Sequence, residues 1–183
     1  ILLMSFVVDL IAMIFGMPRA LYPEIANIDF GGPQSGGMAF ALLSAGIAIG
    51  AVLGGIFSGW VSRIKRQGRA VMIAIIVWGF SIVGFGFSIL LADGKAMPLL
   101  VVAVAMLAIG GAADMASSAF RQSILQSAAT DEVRGRLQGV FLVIVVGGPR
   151  LADMLHGFAS THLGTFSTVT AAGVIVVVRL LLS

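Results

Sequence analysis

Of the 183 residues, 59% are hydrophobic and only 10% are charged, whereas a soluble domain carries roughly 45–50% apolar and about 25% charged residues. Apolar runs extend along the whole chain and give a mean hydropathy of +1.10, which excludes a soluble domain with a single anchor. The net charge of +3 does not mark a nucleic-acid binder, because the basic residues stand in short turns and not along one face. The lack of cysteine excludes disulfides and thiolate metal sites.

Crossing about 30 Å of hydrocarbon takes about 20 helical residues. Six segments meet that length, at 1–26, 37–62, 70–92, 98–127, 136–158 and 164–182, and the whole chain 1–183 reads as one all-α transmembrane bundle. Turn signals separate them: Gly31-Gly32-Pro33 with Ser35-Gly36-Gly37, then Arg63 to Arg69, Asp93-Gly94-Lys95, Thr130 to Arg136, and Ser160 to Gly164. The chain opens at Ile1 inside an apolar run, without an initiator Met or a signal-peptide pattern, and is expected to be a truncated sequence. Arg63, Lys65, Arg66 and Arg69 in the second loop and Arg134 and Arg136 in the fourth make those loops cytoplasmic by the positive-inside rule. Both termini then fall on the cytoplasmic side, and Tyr22 and Trp60 suit an interfacial belt.

In the second segment Gly46, Gly50 and Gly54 recur every four residues, with Gly55 and Gly59 forming a second stripe. Such a face lets a neighbouring helix approach closely, so that van der Waals contact drives association in lipid.

Charge is spread unevenly. The first segment carries Asp9, Arg19 and Glu24, the fourth Asp114 and Arg121, the fifth Arg150 and Asp153, while the third and sixth are nearly free of charge and read as lipid-facing supports. This partition suits two three-helix inverted repeats. Arg150 and Asp153 together cost about 5–7 kcal/mol at mid-bilayer, against about 3–7 kcal/mol returned by the Leu, Ile, Val and Phe of 137–158. Their i, i+3 spacing lets them neutralise one another. Gly147-Gly148-Pro149 just before them predicts a kink or break, because proline removes a backbone donor. On the fourth segment Asp114, Ser118 and Arg121 share one face, with Ser117, Gln122 and Gln126 nearby. Asp114 is read there as a proton or cation site, or as the ion-pair partner of Arg121; Arg121 alternatively snorkels to the headgroups. Asp9 has no basic partner one or two turns away and reads as a proton carrier. Arg19 and Glu24 follow Pro18 and read as interfacial. His156 and His162 lack metal-ligand spacing, and no catalytic motif is present, so neither an enzyme, a metal nor a cofactor is expected.

The segment Thr130-Asp131-Glu132-Val133-Arg134-Gly135-Arg136 followed by Leu137-Gln138-Gly139 resembles the acidic-then-Arg-Gly-Arg loop before the penultimate helix in enterobactin-exporter-like members of the major facilitator superfamily. Gly59-Trp60 leading to Arg63, Arg66, Gly68 and Arg69 resembles that superfamily's basic loop after the second helix of a half, with Ser62 near the place of its usual Asp. The resemblance implies the second six-helix half of a twelve-helix transporter whose N-terminal half is missing from this sequence. It also implies proton-coupled export of a small amphipathic compound, a drug or siderophore, across a bacterial inner membrane. In such a half the first and fourth helices line the cavity and the second and fifth form the interface between halves. Asp9, Asp114 and Arg121 would then serve the pathway, and Gly147, Gly148, Pro149, Arg150 and Asp153 would serve gating. The competing expectation is a non-transporting scaffold that associates through Gly46, Gly50 and Gly54.

Overall fold

The structure is a computed structural model describing residues 10–11, 13–33, 37–56, 59, 64, 66–92, 97–128 and 131–181. Asp9, Trp60, Ser62, Arg63 and Lys65, together with the turn Asp93-Gly94-Lys95, lie outside the described residues. Among the described residues every regular element is a helix: α1 (Tyr22–Ile28), α2 (Met38–Ile56), α3 (Gln67–Ala92), α4 (Met97–Ala128), α5 (Asp131–Leu163) and α6 (Thr165–Leu181), with a 3₁₀ turn at Arg19–Leu21 before α1. Four of these contain stretches long and apolar enough to cross a membrane, Met38–Ile56, Gln67–Ala92, Pro98–Ile124 and Gln138–Leu163, while Thr165–Val178 is a shorter apolar helix.

Two expectations about boundaries are corrected. The first segment is not one helix to residue 26: helical residues 13–15 give way to an unwound stretch at Gly16-Met17-Pro18, and the chain restarts in the 3₁₀ turn. Pro18 has no N–H to continue the ladder, and Gly16 before it has little helical preference. The supposed loop Thr130 to Arg136 is instead the first turns of α5 from Asp131 onward. Glu, Arg, Leu and Gln are good helix formers, and acidic residues suit a helix N-terminus; their polarity marks a helix leaving the apolar zone. The predicted break at Pro149 is absent, since α5 is helical throughout.

Glycines set the two closest seams. A Cβ on Gly50 would overlap the Ala108 carbonyl, one on Gly111 would overlap the Ile47 carbonyl, and one on Gly54 would lie 3.0 Å from Ala112 Cα. The backbones of α2 and α4 therefore touch where side chains would hold them apart. The face Gly46-Gly50-Gly54 is filled by α4 of the same chain and is not open to a second chain, as the scaffold reading required. A Cβ on Gly55 would make ordinary contact with Met115, and one on Gly59 would meet no atom within 4 Å. A second seam joins α3 to α6, with Gly79 against Val177, Gly86 against Thr170 and Gly173 against Val83.

The third helix is more than a lipid-facing support. Trp78, Ile82 and Phe85 on one face of α3 are among the largest fully buried side chains, and only the opposite face, with Ile73, Val77, Phe80, Phe87 and Leu91, is exposed. Tyr22 is likewise not an interfacial anchor: it is 3% exposed and packs edge-on against Phe85 at 6.0 Å. Exposed Ile, Leu, Val, Met and Phe cover the outer faces of the helices, the pattern of a surface solvated by lipid.

Candidate functional site

The site grows from the interruption in the first segment. Unwinding at Gly16-Met17-Pro18 leaves carbonyls without helical donors. Trp78 of α3 reaches across to one of them, donating its indole N–H to the Gly16 carbonyl at 3.2 Å, and the Arg19 N–H takes the Met17 carbonyl at 2.9 Å. The 3₁₀ turn then packs against α5 and holds Arg19 where its charge bears on Asp114 of α4, alongside Arg121. Arg19, expected to be merely interfacial, thus acts on α4 by its charge from a turn that packs against α5.

On α4 the expected polar face is present. Arg121 is 4% exposed and donates from its Nη2 to Ser118 Oγ at 2.9 Å, so it does not extend to the headgroups. Ser117 is fully buried, and Asp114 Oδ1, Ser117 Oγ and Gln122 Oε1 are buried without hydrogen bonds. Polar atoms in this state are few in folded proteins, and each calls for a reason. One turn further on, Gln67 donates to Ser123 at 3.0 Å and fastens the start of α3 to α4.

On α5 the buried stripe is Gly148, Ala152, His156 and Ser160, spaced by four. A Cβ on Gly148 would lie 2.9 Å from Met13 Cβ, so α5 meets the first segment there, whereas Gly147 has nothing within 4 Å. The expected neutralisation of Arg150 by Asp153 is not formed: Arg150 is exposed while Asp153 turns inward, its Oδ1 buried without a hydrogen bond. His156, to which sequence reasoning assigned nothing, is 3% exposed, with its ring against the backbone of Phe15 and Met17 and the charge of Asp153 acting on it. The sequence signal for it is its place four residues after Ala152 and eight after Gly148, which puts it on the packed face.

At one end of the bundle Asp29, just after α1, accepts a hydrogen bond from Thr165 Oγ1 at 3.3 Å, joining the first connection to the start of α6. Burial raises the Asp29 pKa to about 6, opposed by the Thr165 hydrogen bond and assisted by the Glu24 charge. The loop-motif residues Gly59, Gly68, Arg69, Gly135 and Arg136 are exposed, and Asp131, Glu132 and Arg134 occupy the first turns of α5.

These features define an integral membrane helical bundle with polar side chains collected inside it, beside a broken helix. The chain is similar over most of its length to proteins named as enterobactin exporters. It is 28% identical to Enterobactin exporter EntS of Salmonella typhi over 165 residues, covering 90% of this chain and 37% of the relative. It is 27% identical to the protein of that name from Citrobacter koseri over 166 residues, 90% and 36% of the two chains, and 26% identical to that from Escherichia coli O1:K1 over 156 residues, 85% and 34%. The chain therefore spans about a third of the length of these relatives. No family model matches it, and no solved structure does.

Proposed function

We propose that the chain is the C-terminal six-helix half of a secondary transporter that exports a small amphipathic compound of siderophore type from a bacterium, driven by protons. The observation that carries this reading is the similarity to enterobactin exporters over nine-tenths of the chain, and the inward-facing polar groups of α4 and α5 support it. Asp114 and Asp9 are the proton sites, Arg121 governs the charge around Asp114, and Asp153 with the Gly147-Gly148-Pro149 stretch lines the moving interface with the other half. Both termini lie on the cytoplasmic side of the inner membrane.

The test is transport of enterobactin by the complete protein in proteoliposomes under an imposed pH gradient. Asp9→Asn and Asp114→Asn should each abolish gradient-driven accumulation while the protein remains folded by size-exclusion chromatography. Full activity of either variant across a pH series would remove that residue from the mechanism.

A further inference from the structure

His156 lies within the apolar stretch Gln138–Leu163 at 3% exposure; its ring stands against the Phe15 and Met17 backbone, yet neither nitrogen meets an acceptor with full hydrogen-bond geometry. An imidazole held in a low-dielectric interior without partners is costly, and a purely structural histidine settles one N–H on an acceptor. Acceptors are close by. The ring faces the backbone of Phe15 and Met17 where the first segment unwinds, and Asp153 stands one turn earlier on α5 with its Oδ1 buried and unused. Residues three apart on a helix have Cβ atoms about 5–6 Å apart, so a rotamer change brings carboxylate and imidazole together.

We propose that His156 is a proton-binding station inside the membrane, with Asp153 and the Phe15 and Met17 carbonyls as acceptors for the imidazolium. A proton added to the free ring nitrogen gives two N–H donors, one for the carboxylate and one for a carbonyl; its loss returns the neutral ring with one donor. No other bond changes. Among the described residues the charged groups on the elements packed around α5 are Arg19 on the 3₁₀ turn, Asp114 and Arg121 on α4, and Arg179 on α6. Of these Asp114 is matched by Arg121 and Arg19, which leaves Asp153 as the acid serving His156. The station's part in coupling rests on the transporter reading, but its proton binding does not.

Two measurements separate these. In the complete protein labelled with ¹⁵N-histidine in nanodiscs, the His156 signal, identified by its loss in His156→Gln, should titrate between about pH 4 and 9. Asp153→Asn should lower its midpoint by about one pH unit, because a neighbouring carboxylate favours the imidazolium. Replacing sodium by a bulky cation should change nothing. Absence of titration, indifference to Asp153→Asn, or a response to sodium in place of protons overturns the station. In proteoliposomes His156→Gln should lose pH-gradient-driven accumulation of enterobactin but keep its equilibrium exchange. Unchanged accumulation overturns the coupling role even where the titration holds, whereas failure of the unsubstituted protein to move enterobactin counts against the export reading and leaves the titration result standing.

Discussion

The α2–α4 seam and helix α5 are built on opposite plans. Along the seam, side chains are removed until two backbones touch at Gly50 and Gly111, and apolar neighbours such as Leu43 and Leu107 are fully buried on either side. Along α5 the inward stripe is small or polar, Gly148, Ala152, His156 and Ser160, while Leu142, Val143, Val146, Met154 and Phe158 are exposed. Lipid tails are as apolar as leucine, so contact and hydrogen bonding, not water exclusion, hold helices together here. The seam maximises contact and fixes one geometry. Helix α5 forgoes contact and keeps polar atoms unused, which suits a surface that rearranges.

The sharpest way to break this contrast is to fill the seam. Gly50→Ala drives a methyl into the Ala108 carbonyl, and overpacking of this kind costs about 1–3 kcal/mol or more. Thermal unfolding in detergent should show that loss, while Gly59→Ala, with nothing within 4 Å, should stay within about 0.5 kcal/mol of the parent. If Gly50→Ala were neutral, the seam would not be the rigid half of the molecule. Next comes Trp78→Phe, which removes the donor to the Gly16 carbonyl and leaves a buried acceptor unmet, at about 1–3 kcal/mol. The same unfolding measurement checks it, and no loss would mean that the break in the first segment holds its shape without α3.

On α5 the paired substitutions Gly147→Ala and Gly148→Ala discriminate between its two sides. The first has open space and should stabilise by about 0.5–1 kcal/mol through helix propensity; the second meets Met13 Cβ and should cancel or reverse that gain. Equal effects would mean that α5 does not dock on the first segment at Gly148. The smallest effect concerns Asp29. Its folded pKa of about 6 lies above the ordinary 3.8, so the folded state holds the proton more tightly, and stability falls as pH rises from about 4 to about 6. The midpoint of thermal unfolding should decline across that window and flatten in Asp29→Asn; a rise instead of a decline would show that the ionised form is the one Thr165 secures.

Much of the fold was legible because apolar runs and turn glycines punctuate the chain: α2, α3, α4 and α6 begin and end within a few residues of their expected places, apart from the end of α2, which the described residues carry only to Ile56. The start of α5 is not legible from polarity, because a polar run reads as a loop although Glu132, Arg134 and Arg136 are ordinary helix formers. The interruption at Gly16-Met17-Pro18 carried its own signal in Gly16 and Pro18, but a long apolar run masked it. Of the candidate site, the polar face of α4 followed from helical spacing alone. The inward turn of Asp153 away from Arg150, the arrival of Arg19 beside Asp114 and the burial of His156 depend on which neighbour each face meets, which periodicity within one helix does not reveal.

Between α5 and α6 stands a single non-helical residue, Gly164, at a φ of 78°. It closes α5 by donating its N–H to the Ser160 carbonyl at 2.9 Å, and its own carbonyl receives the Thr168 N–H at 3.1 Å. Only glycine takes that left-handed conformation freely. The consequence concerns biosynthesis. With so short a link, α5 and α6 cannot enter the bilayer independently, and the small and polar inward stripe of α5 is inserted together with the apolar helix that follows it.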